Sequence, residues 1–370
     1  MLKGGASIYT SITIQEQVSK LPSTPGVYLM KDSLGGILYV GKSKSLKKRV
    51  QSYFTNSKSH APKIKKLVNH VRTIEHVTTD TEFEALMLEC SLIQQMKPMY
   101  NRRMKNPLAY SYLVIRLVNG LRRIEITSNP SVDEGSLCYG PFAASRNAME
   151  RAVQGIQECF KIACNQTTLT NTPCLNYSIG LCLGMCLGGE AANKYNQVMD
   201  RFIALLDGAD MSLYVEIEQQ MMLAAEQFDF EKAAKYRDYM ESAHFILKKE
   251  EVLDFTAESR NIVMAEYIDY ETLKIFLIKR NTVLASCKYN LEQIGIEQVR
   301  SEVESLIRSN FADHKNVMNT QIEREEIDQA QIIYSYLQNS DSSQHVIIPD
   351  EWLHSENTSD LEQALQQFLS

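Results

Sequence analysis

A chain of 370 residues, 44% hydrophobic and 23% charged, has the make-up of a folded protein of two or three domains, which excludes a disordered or fibrous one. No run approaches the roughly 18 apolar residues of a membrane span, and the first residues lack the apolar stretch of a secretory signal, so a cytoplasmic protein with no membrane association is expected. The net charge of −6 hides an asymmetry: residues 1–108 hold 17 Lys+Arg against 7 Asp+Glu, and the rest hold 22 against 38. A basic first part on an acidic remainder points to a polyanion for the first part only, with nucleic acid the leading candidate.

In chain order, residues 14–20 read as a short helix. "GVYLM" and "ILYV" are β-rich runs joined by "KDSLGG", a hairpin signal. "SLKKRVQSYF" is an amphipathic helix with Ser45 at its N-cap and Leu46, Val50 and Phe54 on one face. A second basic helix and a strand follow. A third helix opens on a capping box, Thr81 with Glu84, and ends at Lys97-Pro98. These elements, residues 21–108, predict a compact α/β domain: a small mixed sheet with helices.

Beyond it the pattern predicts a hairpin turning at Asn119-Gly120, a helix around 144–160 and a cysteine-rich segment, so that 109–205 form an α-rich region. Two helices, 212–226 and 229–248, are joined by a turn short enough to make them antiparallel, with Asp229 capping the second; they define a helical hairpin over 208–248. An α+β region over 251–355 follows, with a three-strand meander and two helices (about 295–310 and 322–338). Residues 356–370 read as a polar tail.

The chemistry concentrates near the start. Tyr28 and Tyr39 lie on paired strands, so both hydroxyls can reach one spot. Gly26 and Gly41 allow close approach. Lys42 follows the second strand, and Arg49 and Tyr53 share a helix face. Glu89 sits at the edge of an apolar helix face with Ala85, Leu92, Ile93 and Met96, where a hard divalent cation would explain it. Taken singly, each residue has an ordinary reading as packing or solvated surface.

Together they are more specific. "GVY…YVGKSKSLKKRVQSYF" resembles the GIY-YIG nuclease domain. The longer string from "LPSTPGVYLM" to "LECSLIQQMKPMYN" is similar to the UvrC family of nucleotide excision repair. The resemblance implies catalytic roles for Tyr28, Tyr39, Lys42, Arg49, Tyr53 and Asn101, with Glu89 binding Mg²⁺ or Mn²⁺. A tyrosine whose acidity is raised by Lys42 and the metal would take a proton from water, with Arg49 stabilising the phosphorane. Which tyrosine does so stays open.

Cys164, Cys174, Cys182 and Cys186 fall within 23 residues. Their spacing suits Zn²⁺ or an iron–sulfur cluster, and equally reduced thiols in a small core. "PCLNYSIGLC" is similar to the family segment, which implies a [4Fe–4S] cluster. In the helical hairpin, Leu213, Ile217, Met221, Ala224 and Ala225 form an apolar stripe that Phe230, Ala233, Ala234 and Arg237 continue. The stripe either packs within the chain or meets a partner. "FDFEKAAKYRD" looks like the UVR motif, which implies binding to UvrB through Phe228, Phe230, Arg237 and Asp238.

The family continues into a second nuclease and further DNA-binding modules that have no counterpart in these 370 residues, a brevity shared with the Cho group. The expectation is therefore an endonuclease of the SOS-linked repair pathway that makes only the incision 3′ to a lesion in damaged double-stranded DNA. It would be recruited by UvrB and indirectly by UvrA. A non-cutting UvrB- and DNA-binding adaptor and a free-standing nuclease are the alternatives.

Overall fold

The computed structural model describes residues 13–55, 60–101, 110–118, 121–130, 135–164, 166, 168–170, 172–311, 324–339, 343–353 and 358–369. They gather into two compact units. The first comprises Met1–Lys105, Ser259–Met318 and Ile332–Ser370; the second comprises Asn106–Glu258 and Asn319–Gln331.

The first unit opens with α1 (Ile14–Ser19), started by a Thr13–Glu16 capping box. Strands β1 (Gly26–Lys31) and β2 (Ile37–Ser43) form the expected hairpin. Helix α2 (Leu46–Phe54) and helix α3 (Pro62–His70) lead to β3 (Thr73–Thr78), which pairs with the other side of β1. The sheet runs β2-β1-β3 and is antiparallel throughout, where a mixed one was expected. Ser45 stands at the start of α2 but its hydroxyl makes no cap; it is buried and unpartnered, while Ser43 Oγ bonds the Ser45 backbone instead. Helix α4 (Glu82–Met96) has the predicted capping box and stops at Lys97, whose backbone is left-handed.

The second unit holds β4 (Ser111–Val118), β5 (Leu121–Thr127) and β6 (Leu137–Phe142) in the order β5-β4-β6. The predicted turn at Asn119-Gly120 lies outside the described residues. Helix α5 (Arg146–Cys159), the single turn α6 (Leu175–Ser178) and helix α7 (Gly189–Leu206) surround the cysteines. The pattern reading missed α7, although Tyr195, Met199, Phe202 and Leu206 supply its buried stripe. Helices α8 (Ser212–Glu226) and α9 (Phe230–Glu258) make the hairpin, and α9 runs ten residues past its predicted end.

The first unit resumes with β7 (Asn261–Tyr267), β8 (Thr272–Lys279) and β9 (Thr282–Asn290). Helix α10 (Ile296–Phe311) follows; α11 (Arg324–Asn339) bridges the two units in sequence. Strand β10 (Ser343–Ile348) returns to pair with β7, giving the order β10-β7-β8-β9. The expected tail is instead α12 (Thr358–Phe368). Leu361, Leu365 and Leu369 recur every four residues and sit in one core with Val263, Ile275 and Val303.

Candidate functional site

Antiparallel register places Tyr28 opposite Gly41 and Met30 opposite Tyr39, so both tyrosines share one face of the sheet. The missing side chain of Gly41 is filled by the Tyr28 ring; a Cβ there would overlap the Tyr28 hydroxyl. The close approach that Gly41 allows is that of the Tyr28 ring. Helix α2 brings Tyr53 over the same spot. The three ring centroids stand 6.0–6.2 Å apart, and the Tyr28 and Tyr53 hydroxyls are 2.9 Å apart. Tyr28 is fully buried, Tyr53 nearly so and Tyr39 half-buried. Arg49, one turn before Tyr53, lays its guanidinium 5.2 Å from the Tyr53 ring centre.

Burial is the first cause that pushes the Tyr28 and Tyr39 phenols well above the usual 10, and the neighbouring phenols add to it. Glu89 raises Tyr39 further, while Arg49 opposes the shift at both. The Lys42 ammonium is held 2.5 Å from Glu82 Oε1, with Lys44 at 2.8 Å on the other oxygen of the same carboxylate.

Glu89 lies on α4 with one oxygen, Oε1, accepting the Lys42 backbone N–H at 3.0 Å; the second accepts no hydrogen bond from any described residue. Burial holds its carboxyl above the ordinary range, against the Lys42 bond and the charges of Lys42 and Arg49. Asn101 is buried and spent on the strand: its amide accepts from Val40 N–H at 3.0 Å and donates to Val40 O at 2.8 Å. It holds β2 between Tyr39 and Gly41 and does not join the phenols. The structure therefore gathers Tyr28, Tyr39, Tyr53, Arg49 and Glu89, and sets Lys42 and Asn101 beside them as framework. Sequence reading missed Glu82. Its signal was the seven-residue spacing to Glu89, which puts both carboxylates on one face of α4.

The four cysteines carry free thiols on one knot of loops. An isolated bridge joins Ile162 to Cys182, and Thr170 N–H bonds Cys186 O at 2.7 Å. Burial first, then Cys164 and Cys174 nearby, raises the Cys186 thiol, and Thr170 opposes the shift. Arg123 donates to the Cys164 carbonyl, and its Nε and Nη2 are buried without partners. Among the described residues, no three Cys, His, Asp or Glu side chains close on a metal-binding point.

In the helical hairpin, Leu213, Ile217 and Ala224 of the α8 stripe are buried, Met221 is half-buried and Ala225 is exposed. Phe228, with a left-handed backbone at the turn, and Phe230 stay exposed, their rings edge to face at 6.2 Å. Asp229 caps α9 through Lys232 N–H at 3.1 Å. Arg237 and Asp238 pair with each other at 3.0 Å on the surface. No helix among the described residues is long and apolar enough to cross a membrane.

Residues 24–102 match the UvrC-like GIY-YIG domain, 110–205 the UvrC/Cho excinuclease middle domain, and 215–243 the UvrB/uvrC motif. The UvrABC system protein C of Clostridium perfringens (strain 13 / Type A) is 33% identical over 334 residues, 87% of this chain and 53% of that protein. Its counterpart in Caldanaerobacter subterraneus subsp. tengcongensis is 33% identical over 88% of this chain and 53% of its own length. The chain thus spans about half the length of the curated relatives it matches. The crystal structure of the GIY-YIG N-terminal endonuclease domain of UvrC from Thermotoga maritima, bound to magnesium, is 31% identical. It covers 24% of this chain and 96% of that one, with a TM-score of 0.22.

Proposed function

The chain belongs to the UvrC family, and on that premise we propose that residues 26–101 carry a DNA endonuclease site that makes the incision 3′ to a lesion in nucleotide excision repair. The observation that carries the reading is the convergence of three phenols, Arg49 and Glu89.

Glu89 fits a hard divalent cation, Mg²⁺ or Mn²⁺. It is a half-buried carboxylate with one oxygen free of described donors, and such ions keep several waters and take only one or two carboxylates. Held there, such a cation would supply Lewis-acid charge to the phosphodiester under attack. Arg49 is exposed and offers its guanidinium to the same phosphate oxygens. Tyr39 is the phenol most open to solvent and is the base in its phenolate form, which the Arg49 charge favours and which would take the proton from water, with the Tyr53 hydroxyl bonded beside it. Lys42 and Asn101 fix the strand that presents Tyr39.

Phe228 and Phe230, with Arg237 and Asp238, form the docking edge for UvrB, which brings the chain to damaged duplex loaded by UvrA. Two exposed aromatic rings at a hairpin turn support this reading. Cys164, Cys174, Cys182 and Cys186 would hold a [4Fe–4S] cluster. The donor set fits in its chemistry, four free thiols beside a buried guanidinium whose charge suits an anionic centre. The cluster would cross-link the loops of the knot.

A nicking assay on a duplex with one defined lesion tests the function, with UvrA and UvrB supplied or omitted. One cut 3′ to the lesion that needs both loaders is expected. Tight binding without any cut would identify an adaptor, and cutting that ignores the loaders a free-standing nuclease; either overturns the reading.

A further inference from the structure

Strand β8 reads Leu273-Lys274-Ile275-Phe276, with a lysine inside an otherwise apolar central strand. Leu273, Ile275 and Leu277 face the core that contains α10 and α12. The period of two turns Lys274 and Phe276 to the opposite face. The Lys274 side chain is only 9% exposed there. A cation so enclosed is tolerated only with close anionic partners, and both partners come from the start of α4. Lys274 Nζ lies 2.7 Å from Asp80 Oδ2 and 2.9 Å from Glu84 Oε1. Lys288, its cross-strand neighbour on β9, takes the other Asp80 oxygen at 2.8 Å. Phe83, between these acids in sequence, is buried with its ring centre 5.1 Å from those of Phe276 and of Tyr336 on α11.

The same helix turn works for the nuclease site. Glu84 Oε2 accepts the N–H groups of Asp80 and Thr81, so the carboxylate that meets Lys274 also caps α4. Glu82 projects to Lys42 and Lys44 of the nuclease strand. Two turns further on, Glu89 takes the Lys42 N–H. Residue 42 is thereby gripped at its ammonium and at its backbone by one rigid helix.

We propose that the C-terminal sheet is the anchor of the nuclease site: Lys274, with Lys288, clamps the first turn of α4 through Asp80 and Glu84 and so sets where Glu82 and Glu89 meet strand β2. Lys274 is a positioning residue for the carboxylate that binds the cation. The inference rests on the reading of Glu89 as that ligand. A shift of the first turn is carried along a continuous helix to Glu89, about 10 Å away.

The test is Mn²⁺ binding to the full chain, read as free Mn²⁺ by electron paramagnetic resonance, with circular dichroism as the check on folding. Lys274→Met weakens binding about 10-fold, the scale for residues that orient a metal ligand without touching the metal. Lys274→Arg restores it to within about 2-fold, since the charge and both partners survive. Should Lys274→Met unfold, the neutral combination Asp80→Asn, Glu84→Gln and Lys274→Met leaves no unpaired buried charge and gives the same readout. A folded variant of either kind that binds Mn²⁺ as the wild type does overturns the clamp. A wild-type chain whose Mn²⁺ binding is unchanged by Glu89→Gln overturns the ligand reading instead.

Discussion

The hydroxyl of Tyr28 lies 2.9 Å from that of Tyr53, in a place only Gly41 leaves room for. A strand tyrosine and a helix tyrosine are thereby joined across the face that carries Tyr39. Gly41→Ala drives its new methyl into the Tyr28 ring. The variant should lose about 1–3 kcal/mol of stability, the usual cost of overpacking, and its incision rate should fall with the displaced phenol. Thermal unfolding and nicking kinetics measure the two effects.

Removing the cation's carboxylate is a cleaner test of chemistry. Glu89→Gln keeps shape and still accepts the Lys42 N–H. Loss of several kcal/mol of Lewis-acid stabilisation predicts a drop in cutting of about 1,000-fold or more. Affinity for the lesion-bearing duplex, measured by fluorescence anisotropy, should stay near that of the wild type.

Asn101→Ala leaves the Val40 N–H and C=O without their buried amide partner. It should destabilise the first unit by about 1–3 kcal/mol. The activity lost should be partly restored at lower temperature, because the Asn101 amide is spent on the backbone of the strand. Activity as low as that of Glu89→Gln at every temperature would instead give Asn101 a direct catalytic part.

Asp80 is held below the usual 3.8 of an aspartate by its hydrogen bonds to Lys274 and Lys288. A depressed carboxyl stabilises the fold above its unfolded value and loses that contribution as pH falls through its folded value. The melting temperature of the wild type should exceed that of Asp80→Asn at pH 7, and the gap should shrink as pH drops below 3.8. A gap that is constant down to acid pH would remove the ion pair as its source.

Local signals carried the first hundred residues well. The hairpin, the Thr81–Glu84 capping box and the shared helix face of Arg49 and Tyr53 follow from local spacing, while the resemblance to the GIY-YIG domain joined Tyr28, Tyr39 and Glu89 to them. What depends on distant chain is not legible in local spacing. Lys42 and Asn101 sit in the motif, yet their partners are Glu82, forty residues on, and the Val40 backbone, so composition alone could not assign their work. The last residues look polar because only one face of α12 is apolar, and Leu361, Leu365 and Leu369 find their core on strands from ninety residues earlier. Leu361→Ala should accordingly cost about 2–5 kcal/mol, a loss no solvated tail would show. Helix α7 escaped notice because it starts on Gly188 and Gly189 with no polar cap.

The most direct measurement is strand scission of a single-lesion duplex by the full chain with UvrA and UvrB present, run with Mg²⁺, without it, and with Glu89→Gln. One nick on the 3′ side, made only by the wild type and only with Mg²⁺, is the predicted result. Equal nicking in chelator, or by the Glu89→Gln chain, would contradict a hydrolytic site built on that carboxylate.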